Sequence, residues 1–155
     1  MTIREKAAMM KMDSSKMAST DITVRNAALE KIAESLLAGK ERIFEANAKD
    51  MERAQADNIL PAVIKRLKFS EAKLSDAIAG IHNLIALPDP LFQIQLKRQL
   101  DEGLTLIRET CPIGVIGVIF EARPDAMVQI ASLCIKSGNC AIPVSYTHLT
   151  LPTIR

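Results

Sequence analysis

The chain of 155 residues contains no tryptophan, and aromatic residues make up only 3% of it. Base-stacking platforms and aromatic cages for quaternary ammonium groups need such residues, so neither is expected. The 20 lysines and arginines exceed the 18 aspartates and glutamates by a net charge of only +2. This excess is too small for a nucleic-acid-binding surface, and nucleic acid is not an expected partner.

Long apolar runs are also missing. The longest, residues 113–120, contains two glycines, whereas a membrane-spanning helix needs about 20 apolar residues. The charged start, Met1–Lys6, is not followed by the apolar segment of a secretory signal. With 48% hydrophobic and 25% charged residues, the composition is typical of a globular protein, which we expect to be cytoplasmic and without a membrane partner.

The three cysteines, at positions 111, 134 and 140, are odd in number and lack CxxC spacing. A zinc site needs about four clustered ligands, and only His82 and His148 could add to the cysteines, so no metal site is predicted. No cationic neighbour in the sequence marks a reactive thiolate. We interpret all three thiols as buried and unreactive.

The first 90 residues have the apolar periodicity of helices. After a helix over residues 4–18, Ser19 or Thr20 is expected to cap a second helix that ends at Gly39. The apolar face of this second helix is predicted from a four-residue repeat: Val24, Ala28, Ile32 and Leu36. Further helices are predicted over 41–57, over 61–67 and from Ser70 to the prolines at 88 and 90.

The pattern changes after Pro90. Residues 93–100 and 104–108 alternate polar and apolar side chains around a glycine-containing turn, which predicts a β-hairpin within residues 91–110. Residues 115–120 are apolar and β-branched, as in a strand buried on both faces. A helix and a second strand follow, so residues 111–142 begin a parallel, Rossmann-like βαβ unit, and the predicted fold class is α/β.

The expected ligand site is the loop between this strand and helix, Glu121-Ala122-Arg123. Ligands of open α/β sheets lie beyond the carboxyl ends of the strands. The helix N-terminus carries partial positive charge and Arg123 adds a guanidinium, so a carboxylate or phosphate is the predicted ligand. The alternative is that Glu121 and Arg123 pair with neighbours and only fasten the loop. Gly114 and Gly117 do not form GxGxxG and predict no nucleotide site.

Two stretches are highly specific: residues 111–125, CPIGVIGVIFEARPD, and residues 134–139, CIKSGN. They resemble the glutamate-5-semialdehyde dehydrogenases, also called γ-glutamyl phosphate reductases, of the aldehyde dehydrogenase superfamily. Three upstream stretches agree: EANAKD over 45–50, KRL over 65–67 and ALPDP over 86–90. The resemblance covers about residues 4–142, roughly the first third of such an enzyme.

The resemblance implies a truncated aldehyde dehydrogenase domain and NADPH-dependent reduction of γ-glutamyl phosphate in proline biosynthesis. It also implies a thioester mechanism at a cysteine outside this chain, so no residue here is expected to be catalytic and the chain alone should be inactive. In the wider superfamily the corresponding loop reads Pro-Trp-Asn and lies near the nicotinamide. By this resemblance Phe120, Glu121 and Ala122 contact the cofactor, and Arg123 binds the substrate.

The chain departs from the family after Ile142. The family continues with Lys-Gly-Gly, in which the lysine helps to bind the cofactor, but Val144 stands at the lysine position. Residues 143–155 fit nothing in the family and are interpreted as a non-native tail. The predicted reductase part is therefore residues 1–142.

Two other interpretations remain open. One is a non-catalytic module of helices and hairpin that binds a partner or associates with its own copies through the 93–110 hairpin, because unpaired strand edges favour association. The matching hairpin region of the superfamily contributes to oligomer contacts. The other is the reductase half of a bifunctional kinase–reductase. The start at Met1, directly before the reductase-like helices, favours the monofunctional form.

Overall fold

The computed structural model describes residues 2–146 and the side chains of residues 2–144. This part of the chain contains six helices and four strands. Five helices come first, then three strands, then the sixth helix and the fourth strand. The helices are α1 (Ile3–Ala18), α2 (Ile22–Ala38), α3 (Lys40–Ala56), α4 (Pro61–Leu67), α5 (Glu71–Ala86) and α6 (Pro124–Lys136). The strands are β1 (Ile94–Asp101), β2 (Leu104–Glu109), β3 (Val115–Glu121) and β4 (Cys140–Tyr146). Among the described residues, none of the helices has the length and apolar character needed to cross a membrane.

The cap of α2 differs from the prediction. Asp21, rather than Ser19 or Thr20, is the N-cap, and its carboxylate accepts hydrogen bonds from the amide and hydroxyl of Thr23. The hydroxyls of Ser19 and Thr20 instead donate to the Lys16 carbonyl at the end of α1. A carboxylate suits the new position because it also interacts favourably with the helix dipole.

The buried face of α2 is rotated from the predicted one. Leu29 is 0% exposed and Ala33 is 3% exposed, whereas Val24 is 57% exposed. Of the other residues of the predicted face, Ala28 is exposed, whereas Ile32 and Leu36 are half-buried and pack against the cluster that contains Leu29. The predicted face was wrong in its centre, by about one position, because Arg25, which a hydropathy pattern places on the surface, lies on the buried face.

Arg25 joins three parts of the helical layer. Its side chain is 2% exposed and donates to the Thr20 carbonyl at 3.0 Å and to the Asp89 carboxylate at 2.6 Å. It also donates to the backbone carbonyl of Lys136. One guanidinium therefore links the end of α1, the proline-rich segment after α5, and the end of α6.

Lys136 extends this buried polar network. Its ammonium group donates to Asn26 Oδ1 at 2.9 Å and to the carbonyls of Ile85 and Leu87 at 3.1 and 2.8 Å. Three donors thus meet three acceptors, two of them at the C-terminal end of α5, where a helix carries partial negative charge. Burial lowers the pKa of Lys136, and the charge of Asp89 opposes this effect.

The strands form two separate pairs. In the first, β1 and β2 make the predicted antiparallel hairpin, and every residue of both strands is exposed. In the second, β3 and β4 pair in parallel, from Val115 opposite Cys140 to Glu121 opposite Tyr146. Since α6 connects them, the predicted βαβ unit is confirmed. Gly138 makes the turn into β4 with φ of 66°, in the left-handed region that favours glycine.

One expectation about this sheet needs correction. β3 is not buried on both faces, because Ile119 is 67% exposed and β3 has only one partner strand in the described sheet. The strand predicted after α6 begins at Cys140 and continues past Ile142 through Pro143, which pairs with Val118. Residues 147–155 of the expected tail lie outside the described residues.

Candidate active-site loop

The loop between β3 and α6 lies at the carboxyl end of the parallel pair. Phe120 and Glu121 end β3, and Arg123 is the N-cap residue of α6, directly before Pro124 at the first helical position. Proline suits this position because its fixed φ matches a helix and its missing N–H costs no hydrogen bond. All four residues expected to bind substrate or cofactor, Phe120 to Arg123, therefore lie on one short segment.

Ala122 fixes the backbone of this loop. Its φ of 45° is in the left-handed region, which costs a residue with a side chain about 1–3 kcal/mol. The methyl group is 2% exposed and packs in a cluster with Ala54, Ile59 and Leu67 of the helical layer. This packing holds the unusual conformation in place, so a contact from Ala122 to a cofactor would come from its backbone.

The charged residues of the loop both have partners. Glu121 Oε2 accepts a hydrogen bond from Arg66 Nη2 of α4 at 3.0 Å, and Arg123 Nη2 lies 3.5 Å from Asp125 Oδ2. The pairing matches the alternative in which these residues fasten the loop. However, the Arg123 side chain is still 52% exposed and is therefore accessible to a ligand.

A cleft of about 350 Å³ opens beside the loop. Phe120 and Arg123 line one side of it, and Asp50 and Arg53 of α3, with Asp57 directly after that helix, contribute to the rest. The volume is near the lower end of the roughly 300–1,000 Å³ typical of small-molecule sites. It suits a small anionic group or one end of a larger ligand.

The sequence prediction missed the contribution of the helical layer. Asn47 of α3 donates to the Leu67 carbonyl at 2.9 Å and accepts from the Phe69 amide at 2.8 Å. It thereby fixes the end of α4, from which Arg66 reaches the loop. Both residues lie in stretches that carry the family resemblance, EANAKD over 45–50 and KRL over 65–67. Those stretches did not indicate that the two side chains support the loop.

The implied cofactor, NADPH, fits the described residues only in part. An exposed arginine beside the start of a helix suits a phosphate group. However, the turn from β3 to α6 reads Glu-Ala-Arg and is not the glycine-rich turn that holds a dinucleotide pyrophosphate. Val144, at the position of the family's lysine, is 40% exposed and adds no charge. Of the groups that such a cofactor would need, the described residues therefore offer only the arginine and the helix start.

The three thiols differ in environment. Cys134 is buried, as expected, and burial raises its pKa, with a further contribution from the nearby Cys140. Cys140 is half-buried, but Cys111 is exposed, so the expected burial is wrong for Cys111. The apolar residues around Cys111 in the sequence are themselves partly exposed, which is why hydropathy misplaced it. Within the described part of the chain, no group of three or more His, Cys, Asp and Glu side chains could hold a metal ion.

The chain is similar in sequence to known reductases. It is 52% identical over 129 residues to the gamma-glutamyl phosphate reductase of Ruminiclostridium cellulolyticum, an alignment that covers 83% of this chain and 30% of that protein. No family model matches the chain. The chain thus spans about 30% of the length of the curated relatives it matches.

The fold is similar to the same enzymes. The crystal structure of gamma-glutamyl phosphate reductase from Saccharomyces cerevisiae matches with a TM-score of 0.88 and 34% identity, over 94% of this chain and 38% of that one. The enzyme from Thermotoga maritima matches with a TM-score of 0.85 and 30% identity, over 91% and 34%. The predicted α/β class is confirmed. By sequence and by fold, the chain is similar to about a third of a gamma-glutamyl phosphate reductase, as its motifs had indicated.

Proposed function

We propose that this chain is part of a cytoplasmic enzyme that reduces γ-glutamyl phosphate to glutamate 5-semialdehyde with NADPH, in proline biosynthesis. The observation that carries the proposal is an exposed arginine at the carboxyl end of a parallel βαβ unit, in a chain 52% identical to a gamma-glutamyl phosphate reductase. An acyl phosphate with a free carboxylate is an anionic substrate, which suits Arg123.

The residues of the loop have separate roles in this proposal. Arg123 binds the phosphate or carboxylate of the substrate, because its planar guanidinium donates two parallel hydrogen bonds to such groups. Phe120, Glu121 and the backbone of Ala122 line the nicotinamide end of the cofactor site. NADPH, when bound, supplies the hydride, and the cysteine nucleophile lies outside this chain. The 155-residue chain alone should therefore show no reductase activity.

The proposal is tested in a chimera in which residues 4–142 replace the matching segment of the R. cellulolyticum reductase. The assay follows phosphate-dependent reduction of NADP⁺ by the semialdehyde, which is the reaction in reverse. Arg123→Gln should lower kcat/KM about 10- to 100-fold, because a hydrogen bond to a charged group contributes about 1.5–3 kcal/mol. Arg42→Gln, at an exposed position of α3, is the matched control. A folded but inactive chimera would contradict the reductase proposal, and full activity in Arg123→Gln would contradict the role of Arg123.

A second proposal is that the 93–110 hairpin associates with a copy of the chain or with another protein. The hairpin carries six exposed large apolar residues: Ile94, Leu96, Leu100, Leu104, Leu106 and Ile107. Exposed apolar strands favour pairing with other strands and burial against apolar surfaces. This surface supports the module interpretation and, equally, subunit contacts in a reductase.

Gel filtration of the 155-residue chain tests this association. We expect a defined oligomer that Leu106→Glu dissociates, because a buried carboxylate at the contact costs free energy. Leu37→Glu on α2, where the leucine is 58% exposed, is the control and should leave the oligomer intact. A chain that is monomeric at all concentrations would exclude the hairpin as a contact between copies of the chain.

Residues 143–155 are proposed to be a non-native tail, so that the reductase part consists of helices over 1–90, the hairpin over 91–110 and the βαβ start over 111–142. The support is the departure from the family sequence directly after Ile142. β4 crosses this boundary to Tyr146, but pairing with the open edge of β3 needs no particular side chains, and Pro143, which lacks an N–H, is tolerated in an edge strand. Continuation of the strand is therefore compatible with a foreign sequence.

A further inference from the structure

Arg66 of α4 contacts the site loop from a different layer of the fold. Its Nη2 donates to Glu121 Oε2 at 3.0 Å, and the two side chains are 48% and 37% exposed. Together with the packing of Ala122 against α3 and α4, this contact holds the loop at two adjacent residues. The segment that presents Arg123 is thus fastened to the helical layer by one apolar contact and one ion pair.

The charges around the cleft make this ion pair important for binding. The arginines on the cleft wall and on the loop with its partners are Arg53, Arg66 and Arg123, and the acidic residues are Asp50, Asp57, Glu121 and Asp125. Acidic groups therefore outnumber arginines by one. Since the site is not strongly cationic, the affinity for an anion depends on each arginine. An unpaired Glu121 carboxylate beside the anion would lower this affinity by repulsion.

We propose that Arg66 is a positioning residue for the anionic ligand of Arg123. It holds the Glu121 carboxylate on the α4 side of the loop and neutralises its charge. This inference rests on the proposed function, because it requires an anion at Arg123. Arg66 itself does not line the cleft and acts through Glu121.

The test uses the 155-residue chain and inorganic phosphate as the probe, with binding followed by NMR titration at low salt. Arg66→Gln should raise the dissociation constant of phosphate about three- to fivefold, in keeping with the modest energy of partly exposed charges. Arg66→Lys, which keeps the charge, should have a smaller effect. The double variant Arg66→Gln, Glu121→Gln should bind within about twofold of wild type, because the repelling carboxylate has also been removed.

A merely structural role for Arg66 would not give this rescue, since the double variant lacks the ion pair as well. Unchanged binding in Arg66→Gln, or a double variant as weak as Arg66→Gln, would overturn the inference. Each variant is first shown by circular dichroism to be folded, and Arg42→Gln is the matched control.

Arg123→Gln separates failure of this inference from failure of the proposed site. If Arg123→Gln loses phosphate binding but Arg66→Gln does not, the proposed anion site at Arg123 is supported and the positioning role of Arg66 is wrong. If the wild-type chain does not bind phosphate, or if Arg123→Gln binds it normally, the proposed site is wrong and the inference falls with it.

Discussion

Replacing Arg25 with methionine is expected to lower the free energy of unfolding by about 3 kcal/mol. Removing one member of a buried ion pair costs about 3–5 kcal/mol, because the partners lose their compensation. Here the carbonyls of Thr20 and Lys136 and the carboxylate of Asp89 lose their donor. The lower end of this range applies because the Asp89 side chain is 28% exposed, so water can hydrate its carboxylate once Arg25 is replaced.

Urea unfolding followed by circular dichroism measures this effect. Arg42→Met, at an exposed position on α3, is the matched control and should change the free energy of unfolding by no more than about 0.5 kcal/mol. Equal losses of unfolding free energy in the two variants would show that the contacts of Arg25 stabilise the fold no more than those of an ordinary surface arginine.

Acid provides a second measurement of the same contact. Burial opposes ionisation of Asp89, but hydrogen bonds from Arg25 and from the Leu91 amide outweigh it, so its pKa lies below the ordinary value of 3.8. The unfolded chain therefore binds more protons in this range, and the stabilisation is complete above pH of about 4 and is lost as pH falls through the folded pKa. The difference between wild type and Arg25→Met in the free energy of unfolding should be constant above about pH 4 and should narrow as the pH falls below it. A constant difference would show that Asp89 is not the partner that matters.

Local signals in the sequence predicted most of the elements. Pro61 opens α4, and Ser70 caps α5 by accepting a hydrogen bond from the Lys73 amide. Gly39 ends α2. Each of these acts within a few residues of the chain, because capping and proline geometry depend on nearby backbone groups. The order of strand, helix and strand after Pro90 then led to the parallel pair and to the position of Arg123.

Local sequence signals could not predict contacts between segments that are distant in the chain. Arg25 and Lys136 have surface-type side chains by hydropathy, yet both are almost fully buried. Acceptors 64 and 111 residues away satisfy Arg25, and acceptors 49 to 110 residues away satisfy the Lys136 ammonium group. The pair between Arg66 and Glu121 spans 55 residues. Periodicity measures the average burial of a residue type and contains no information about a partner on another element. This is also why the cleft wall formed by α3 was not expected.

The rotated face of α2 leads to the second large stability prediction, which compares Leu29→Ala with Val24→Ala. The predicted repeat places Val24 in the core, whereas the structure buries Leu29 completely and leaves Val24 57% exposed. Leu29 packs with Ala33 and with Ile81 of α5 in one cluster. Leu29→Ala should therefore lower the free energy of unfolding by about 3 kcal/mol, within the 2–5 kcal/mol typical of a buried leucine that leaves a cavity.

Val24→Ala should change the free energy of unfolding by less than about 0.5 kcal/mol, because its side chain is mostly in water in both states. Alanine is also the better helix former, which offsets part of any lost contact. Both variants are made in the same helix and measured by the same urea titration, so their difference reports which face of α2 is buried. A larger loss for Val24→Ala than for Leu29→Ala would mean that the sequence repeat describes α2 correctly. In that case Arg25 would lie off the buried face, and its contacts with Asp89 and the Lys136 carbonyl would not form.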